Sequence, residues 1–226
     1  MSRQSITDHA ADLIEEVKPR LRGWLHAGTF PVALVAGLVL IAMAGSIRAR
    51  MACAVYVGTL ALLFGISALY HRGNWTPRVN AVFRRLDHAN IFLFIAGSYT
   101  PIALLLLDQD TAHLLLAVVW VGALLGAAFQ TFWIGAPRWL YVPLYIALGW
   151  TAVFFAPEFM RSGGWLVVGL IAAGGILYSL GALVYGIKRP NPSPRWFGFH
   201  EVFHSLTIVA FVSQYIAISI VAYTRA

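Results

Sequence analysis

Charge is what this sequence has least of. Only 11% of its 226 residues are Asp, Glu, Lys or Arg, where a soluble domain carries roughly 25%. That is too little charge to cover a water-facing surface. Hydrophobic residues make up 60% of the chain and the mean hydropathy is +0.75, which marks a membrane protein. Disorder is excluded, because disordered chains are polar and poor in aromatics. The pattern speaks against a transmembrane β-barrel, whose strands alternate apolar and polar over about 10 residues, whereas the apolar runs here are unbroken. There is a single cysteine, Cys53, inside an apolar run, so no intramolecular disulfide forms. Carboxylates number nine, and four of them, Asp8, Asp12, Glu15 and Glu16, lie in the N-terminal tail. With those charges and no apolar core, the first 27 residues do not read as a secretory signal. The net charge of +7 fits basic loops on a cytoplasmic face rather than nucleic-acid binding.

Long hydrophobic runs are what is present. A membrane-crossing helix needs about 20 apolar residues, and seven runs qualify, near 29–47, 52–70, 88–107, 112–134, 138–156, 164–187 and 200–222. The expected fold is all-α: a seven-transmembrane-helix bundle over residues 28–226, preceded by a cytoplasmic segment, 1–27. If the N-terminus is inside, only Arg48, Arg50, Arg161 and Arg225 of the sixteen basic residues fall outside. The positive-inside rule therefore predicts a cytoplasmic N-terminus and an external C-terminus. Trp24, Trp75, Trp133, Trp139, Trp165 and Trp196 fall at span ends, where indoles prefer the interface. Residues 7–18 read as a short amphipathic helix, either lying on the inner leaflet or solvated. Pro101 and Pro143 are expected to kink the third and fifth helices.

Ionisable groups inside a membrane are costly and functional by default. Outside the tail and the outer loops, the carboxylates reduce to Asp87 and Glu201, each beside a histidine. His71 ends span two, Asp87 starts span three, and His200 and His204 start span seven. All fall at one depth, near the cytoplasmic boundary. His200 and His204 share a helical face at i, i+4, as do Ser67 and His71. Three imidazoles with a fourth position left for water describe a catalytic zinc site. A carboxylate and a hydroxyl at that depth would hold and activate the water. The alternative is a set of interfacial or pore-lining histidines without metal. His88, about 100° round the helix from Asp87, reads as interfacial. The intramembrane amides and hydroxyls, Gln130, Gln214, Tyr145, Tyr178, Ser179 and Ser213, read as glue between helices.

His200-Glu201-Val202-Phe203-His204 also matches the H-E-x-x-H pattern of zinc proteases. Those enzymes take a third ligand from later in the chain. After His204 there is no His, Asp, Glu or Cys, so a third ligand must come from upstream. Glu201 then reads as a partner for Arg195 or another loop arginine rather than as a general base.

Ser67-Ala68-Leu69-Tyr70-His71, Arg85-Leu86-Asp87-His88-Ala89-Asn90-Ile91 running into Ile95-Ala96-Gly97-Ser98-Tyr99-Thr100-Pro101, and His200-Glu201-Val202-Phe203-His204 together resemble the hemolysin III family. Its wider superfamily takes in the progestin and adipoQ receptors and the alkaline ceramidases. The resemblance runs over nearly the whole chain. It implies a seven-helix bundle with Zn2+ held by His71, His200 and His204 near the cytoplasmic side, Asp87 contacting the zinc-bound water, and Ser67 beside the site. It further implies hydrolysis of a lipid amide, with a membrane lipid as substrate or ligand, no nucleic-acid partner, and residence in a bacterial cytoplasmic membrane. The N-terminus departs from the family pattern of an acidic pair shortly before Thr-His-Gly. Here Glu15-Glu16 precede Leu25-His26-Ala27 across a longer basic stretch, so no role transfers to Glu15 or His26. Two other readings stay open: a membrane sensor or receptor with structural zinc, and a haemolytic pore.

Overall fold

The computed structural model describes residues 19–133 and 135–225; the tail helix expected over 7–18, and Glu15 with it, lies outside them. The described residues are helical, with no strand beyond one isolated bridge between Ser193 and Phe197. In chain order the helices are α1 (Trp24–Met43), α2 (Ile47–Arg72), α3 (Pro77–Leu106), α4 (Gln109–Phe132), α5 (Arg138–Gly149), a 3-10 segment (Trp150–Phe155), α6 (Ala156–Ile187) and α7 (Phe199–Thr224). Six helical stretches are long and apolar enough to cross a membrane; one of them, Arg138–Ile187, is 50 residues long.

That long stretch doubles back on itself. Gly164 has φ 73° and ψ 176°, a backbone conformation open essentially to glycine alone. Past it the chain returns along its own first arm. The Tyr141 and Tyr185 hydroxyls are 3.4 Å apart, and Trp150 Nε1 donates to Ser179 Oγ at 2.8 Å. The first arm is not a uniform helix. Seven residues beyond Pro143 it tightens into the 3-10 segment, and Tyr99 of α3 secures that break. The Tyr99 hydroxyl donates to the Gly149 carbonyl at 2.6 Å and accepts from the Ala152 amide at 2.8 Å. By contrast, α3 stays helical through Pro101.

Local sequence accounts for the helix ends. Ser46, Thr76 and Asp108 each accept a hydrogen bond from the amide three residues on, the usual N-cap arrangement. Thr111's hydroxyl and amide hold the exposed Asp108 carboxyl below the usual carboxylate range. The Thr76 cap with Pro77 behind it starts α3 eleven residues earlier than the apolar run at 88, and α1 starts at Trp24 rather than near 29.

Polar side chains join the helices from within. Asn90 Nδ2 of α3 donates to Leu62 O of α2 at 3.1 Å, and Trp120 Nε1 of α4 donates to Thr100 Oγ1 of α3 at 3.2 Å. On α7, Ser213 Oγ donates to Leu170 O of α6 and Tyr215 Oη to Ala36 O of α1, both at 2.9 Å. Tyr56, Phe64, Phe92, Leu60 and Leu115 are fully buried among these contacts. The outward faces of α1 and α4 carry exposed Val32, Val35, Leu38, Val121, Leu124 and Leu125, an apolar belt suited to lipid. All six interfacial tryptophans named above are exposed.

Replacing Gly164 by valine puts a β-branched residue into a glycine conformation, at a cost of about 1–3 kcal/mol. The apparent melting temperature of the detergent-solubilised protein is expected to fall. Gly169→Ala, where an added Cβ meets nothing within 4 Å, is expected to leave it unchanged or raise it.

Candidate metal centre

Three helix ends meet at one pole of the bundle. His71 lies in the last turn of α2, Asp87 ten residues into α3, and His200 and His204 in the first two turns of α7. One ligand nitrogen from each of His71, His200 and His204 lies within 4.8 Å of the others. His71 Nε2 and His200 Nε2 are 3.2 Å apart. Two nitrogens bound at 2.0–2.1 Å to one tetrahedral ion stand about 3.3 Å apart, so this pair already has the separation a single ion needs. Asp87 Oδ2 is 3.7 Å from His71 Nε2. His71 and His204 are buried and His200 partly so. The structure thus brings together all five residues singled out in the sequence: Ser67, His71, Asp87, His200 and His204.

It also brings in one residue to which sequence reasoning gave no role. His26, near the start of α1, is buried, and its ring stacks face to face on His204 at 3.7 Å between centroids. Its Nδ1 is 2.9 Å from Ser67 Oγ. Ser67 and Asp87 line the same cavity as His26, so the His26–Ser67 bond lies near the carboxylate and the three-histidine group. The turn into α1 makes this approach possible. Gly23 has φ 80°, and a Cβ there would fall 2.6 Å from His71 Cβ. The sequence did hold this signal: a glycine three residues ahead of a histidine at the mouth of an apolar run.

The H-E-x-x-H carboxylate has a different use. Glu201 Oε1 receives Arg22 Nε at 2.6 Å and Oε2 receives the Gly198 amide at 2.8 Å, closing the N-terminus of α7. Both oxygens are taken up there and Glu201 is not part of the histidine group, so the protease-like match is one of spelling only. The arginine is Arg22, not Arg195. The segment carrying it also pairs by backbone with the loop before α7, Arg20 N to Arg195 O at 3.0 Å and Leu21 N to Trp196 O at 3.3 Å. Residues 19–23 thus form a strap across the centre.

Behind the histidines lies a cavity of about 220 Å³, walled mainly by apolar side chains of α3, α5, α6 and α7. His26, Ser67, Asp87, His200 and His204 form its polar head, and Ile102 and Phe159 line its far reach. His88, taken above as interfacial, lines the same head. Tyr185 stands beside the centre, its ring 5.7 Å from that of His200 and capped at 4.7 Å by the Arg138 guanidinium.

A polytopic helical membrane protein with a buried three-histidine group that could hold a metal ion is the class these features define. The family model for haemolysin-III related proteins matches residues 14–215. The chain belongs to that family. Among its relatives is Hemolysin-3 of Bacillus cereus, 29% identical over 184 residues, covering 80% of this chain and 84% of the relative. The Hemolysin-3 homolog of Bacillus subtilis (strain 168) is 29% identical over 168 residues, covering 74% and 78%. The adiponectin receptor protein of Drosophila melanogaster is 27% identical over 192 residues, covering 76% of this chain and 42% of the receptor.

Glu201 is 1% exposed, so removing its arginine leaves a buried charge unpaired, at a cost of about 3–5 kcal/mol. Arg22→Leu is expected to lower the thermal stability sharply. The double variant with Glu201→Gln should recover much of the loss, a coupling that a double-mutant cycle reads directly.

Proposed function

We propose that this protein is a zinc-dependent hydrolase of a lipid amide, held in the cell membrane by seven crossings with the N-terminus in the cytoplasm. The observation that carries the reading is the three-histidine group with Asp87 at the polar head of an otherwise apolar cavity. An all-imidazole donor set suits zinc. A cavity that is polar at one end and apolar along its length suits an amphiphile with its linkage at the head and its chain within. The relatives' names, haemolysin and receptor, are in keeping with a protein that meets a membrane lipid.

Seven crossings follow if the reversal at Gly164 divides Arg138–Ile187 into two spans. The basic residues then favour the histidine end as the cytoplasmic one.

When bound, zinc supplies a Lewis acid for the acyl carbonyl and makes water nucleophilic near neutral pH. The protein's own groups do the rest. His71, His200 and His204 hold the ion. Asp87 accepts the proton of the attacking water and passes it to the leaving amine. The Ser67 hydroxyl, held by His26, helps hold the water beside Asp87. The apolar walls exclude bulk water and align the chain so that the linkage meets the head of the cavity.

Detergent-purified protein is expected to carry about one zinc per chain. His71→Ala and His200→Ala should lose it. Asp87→Ala should keep it while hydrolysing a lipid amide about 10²–10⁴ times more slowly. Elemental analysis and product release read the two outcomes separately, and metal-free wild type would defeat the proposal. Reporter fusions check the topology. A C-terminal alkaline phosphatase, active only outside the cytoplasm, is expected to be active, and an inactive one would overturn the seven-crossing assignment.

A further inference from the structure

The wall of the cavity is not apolar along its whole length. Ser213, Gln214 and Tyr215 are consecutive on α7, and the first and third bond carbonyls of neighbouring helices. Gln214 does neither. It is 92% buried, lines the cavity, and has no hydrogen-bond partner among the described residues. A glutamine that glues helices needs a partner on another helix, and this one has none. Ten residues past His204, it stands about 15 Å along α7 from the histidine group. Room for it is provided by Gly174 of α6, where a Cβ would come within 2.9 Å of Gln214 Cγ. One turn along α6, Tyr178 also lines the cavity, and its hydroxyl is buried and without a partner among the described residues.

A saturated chain that covers this amide removes its water without offering a hydrogen bond in return. A hydroxyl on the chain supplies that bond, since the glutamine carbonyl accepts and its NH₂ donates. Sites built to bond a hydroxyl reject analogues that lack one.

We propose that Gln214 is a second polar contact for the ligand. It selects amphiphiles that carry a hydroxyl partway down an apolar chain, about a dozen carbons from the head group. The proposal rests on the reading above that the cavity takes a lipid chain; it does not depend on the metal or on turnover.

The test is equilibrium binding of three fatty acids to the detergent-purified full chain, with and without added zinc. The probes are octadecanoate, 12-hydroxyoctadecanoate and 2-hydroxyoctadecanoate. Relative to octadecanoate, the 12-hydroxy acid is expected to bind wild type roughly tenfold better than it binds Gln214→Leu. The 2-hydroxy acid should show no such Gln214-dependent gain. Gln214→Met, unbranched and of similar length, carries the same comparison if the leucine variant does not fold. Equal ratios in wild type and variant, or an equal gain for the 2-hydroxy acid, would overturn the assignment while leaving the lipid cavity intact. Failure of wild type to bind any of the three acids would overturn both.

Discussion

Hydrocarbon offers no hydrogen bonds, and nearly every feature of this structure answers to that constraint. The backbone satisfies itself by staying helical. Its breaks, at Trp150–Phe155 and at Gly164, come where a partner side chain or a glycine permits them. Tyr99 serves the first break with both its donor and its acceptor. Asn90, Trp120, Ser213 and Tyr215 each bond a group on a neighbouring helix, tying adjacent helices together. The same constraint explains the low charge. An ion pair can be kept only where it is closely matched, as Arg22 and Glu201 are at 2.6 Å.

Within that frame the histidine group is an economical way to put chemistry near a membrane. Neutral imidazoles escape the heavy desolvation cost of charged side chains, yet each presents a nitrogen lone pair for a cation. Three of them converge because two helices end and begin at the same depth. The strap at residues 19–23 then lies over them, and Gly23 allows it to approach His71 without collision. The stacked His26 and the Ser67 hydroxyl it holds lie beside them, near Asp87. Positioning of this kind, from an outer layer that holds the inner one, is what sets the orientation and basicity of metal-ligating groups.

The cavity unites the loosely regular and the tightly regular parts of the fold. Its walls come from α3, from the closely packed α6 and α7, and from the interrupted arm of α5. The interruption leaves Trp150, Val153 and Phe154 partly or largely exposed toward the surroundings, next to residues that line the cavity. Residues 14–215 match one family model, so the helices that hold the histidines and those that wall the cavity belong to a single heritable unit.

Much of this was legible in the chain. Runs of about 20 apolar residues mark helices because a bilayer demands that length. A histidine pair at i, i+4 shares a face because the helix has 3.6 residues per turn. Depth could be counted from span ends, and that count alone puts Ser67, His71, Asp87, His200 and His204 at one level. What lay beyond reach were contacts between residues distant in sequence and unmarked by periodicity. Arg22 and Glu201 are 179 positions apart, and no local pattern chooses Arg22 over Arg195. His26 has no companion at helical spacing, so its stacking on His204 follows only from how α1 docks. The early start of α3 at Pro77 was hidden because arginines dilute its first turns. Whether an intramembrane amide glues helices or faces a cavity was likewise undecidable, since Ser213, Gln214 and Tyr215 differ in their neighbours and not in their sequence context. Local energetics determine helices and their depth; which side chains then meet is decided by packing, where many distant residues must fit at once.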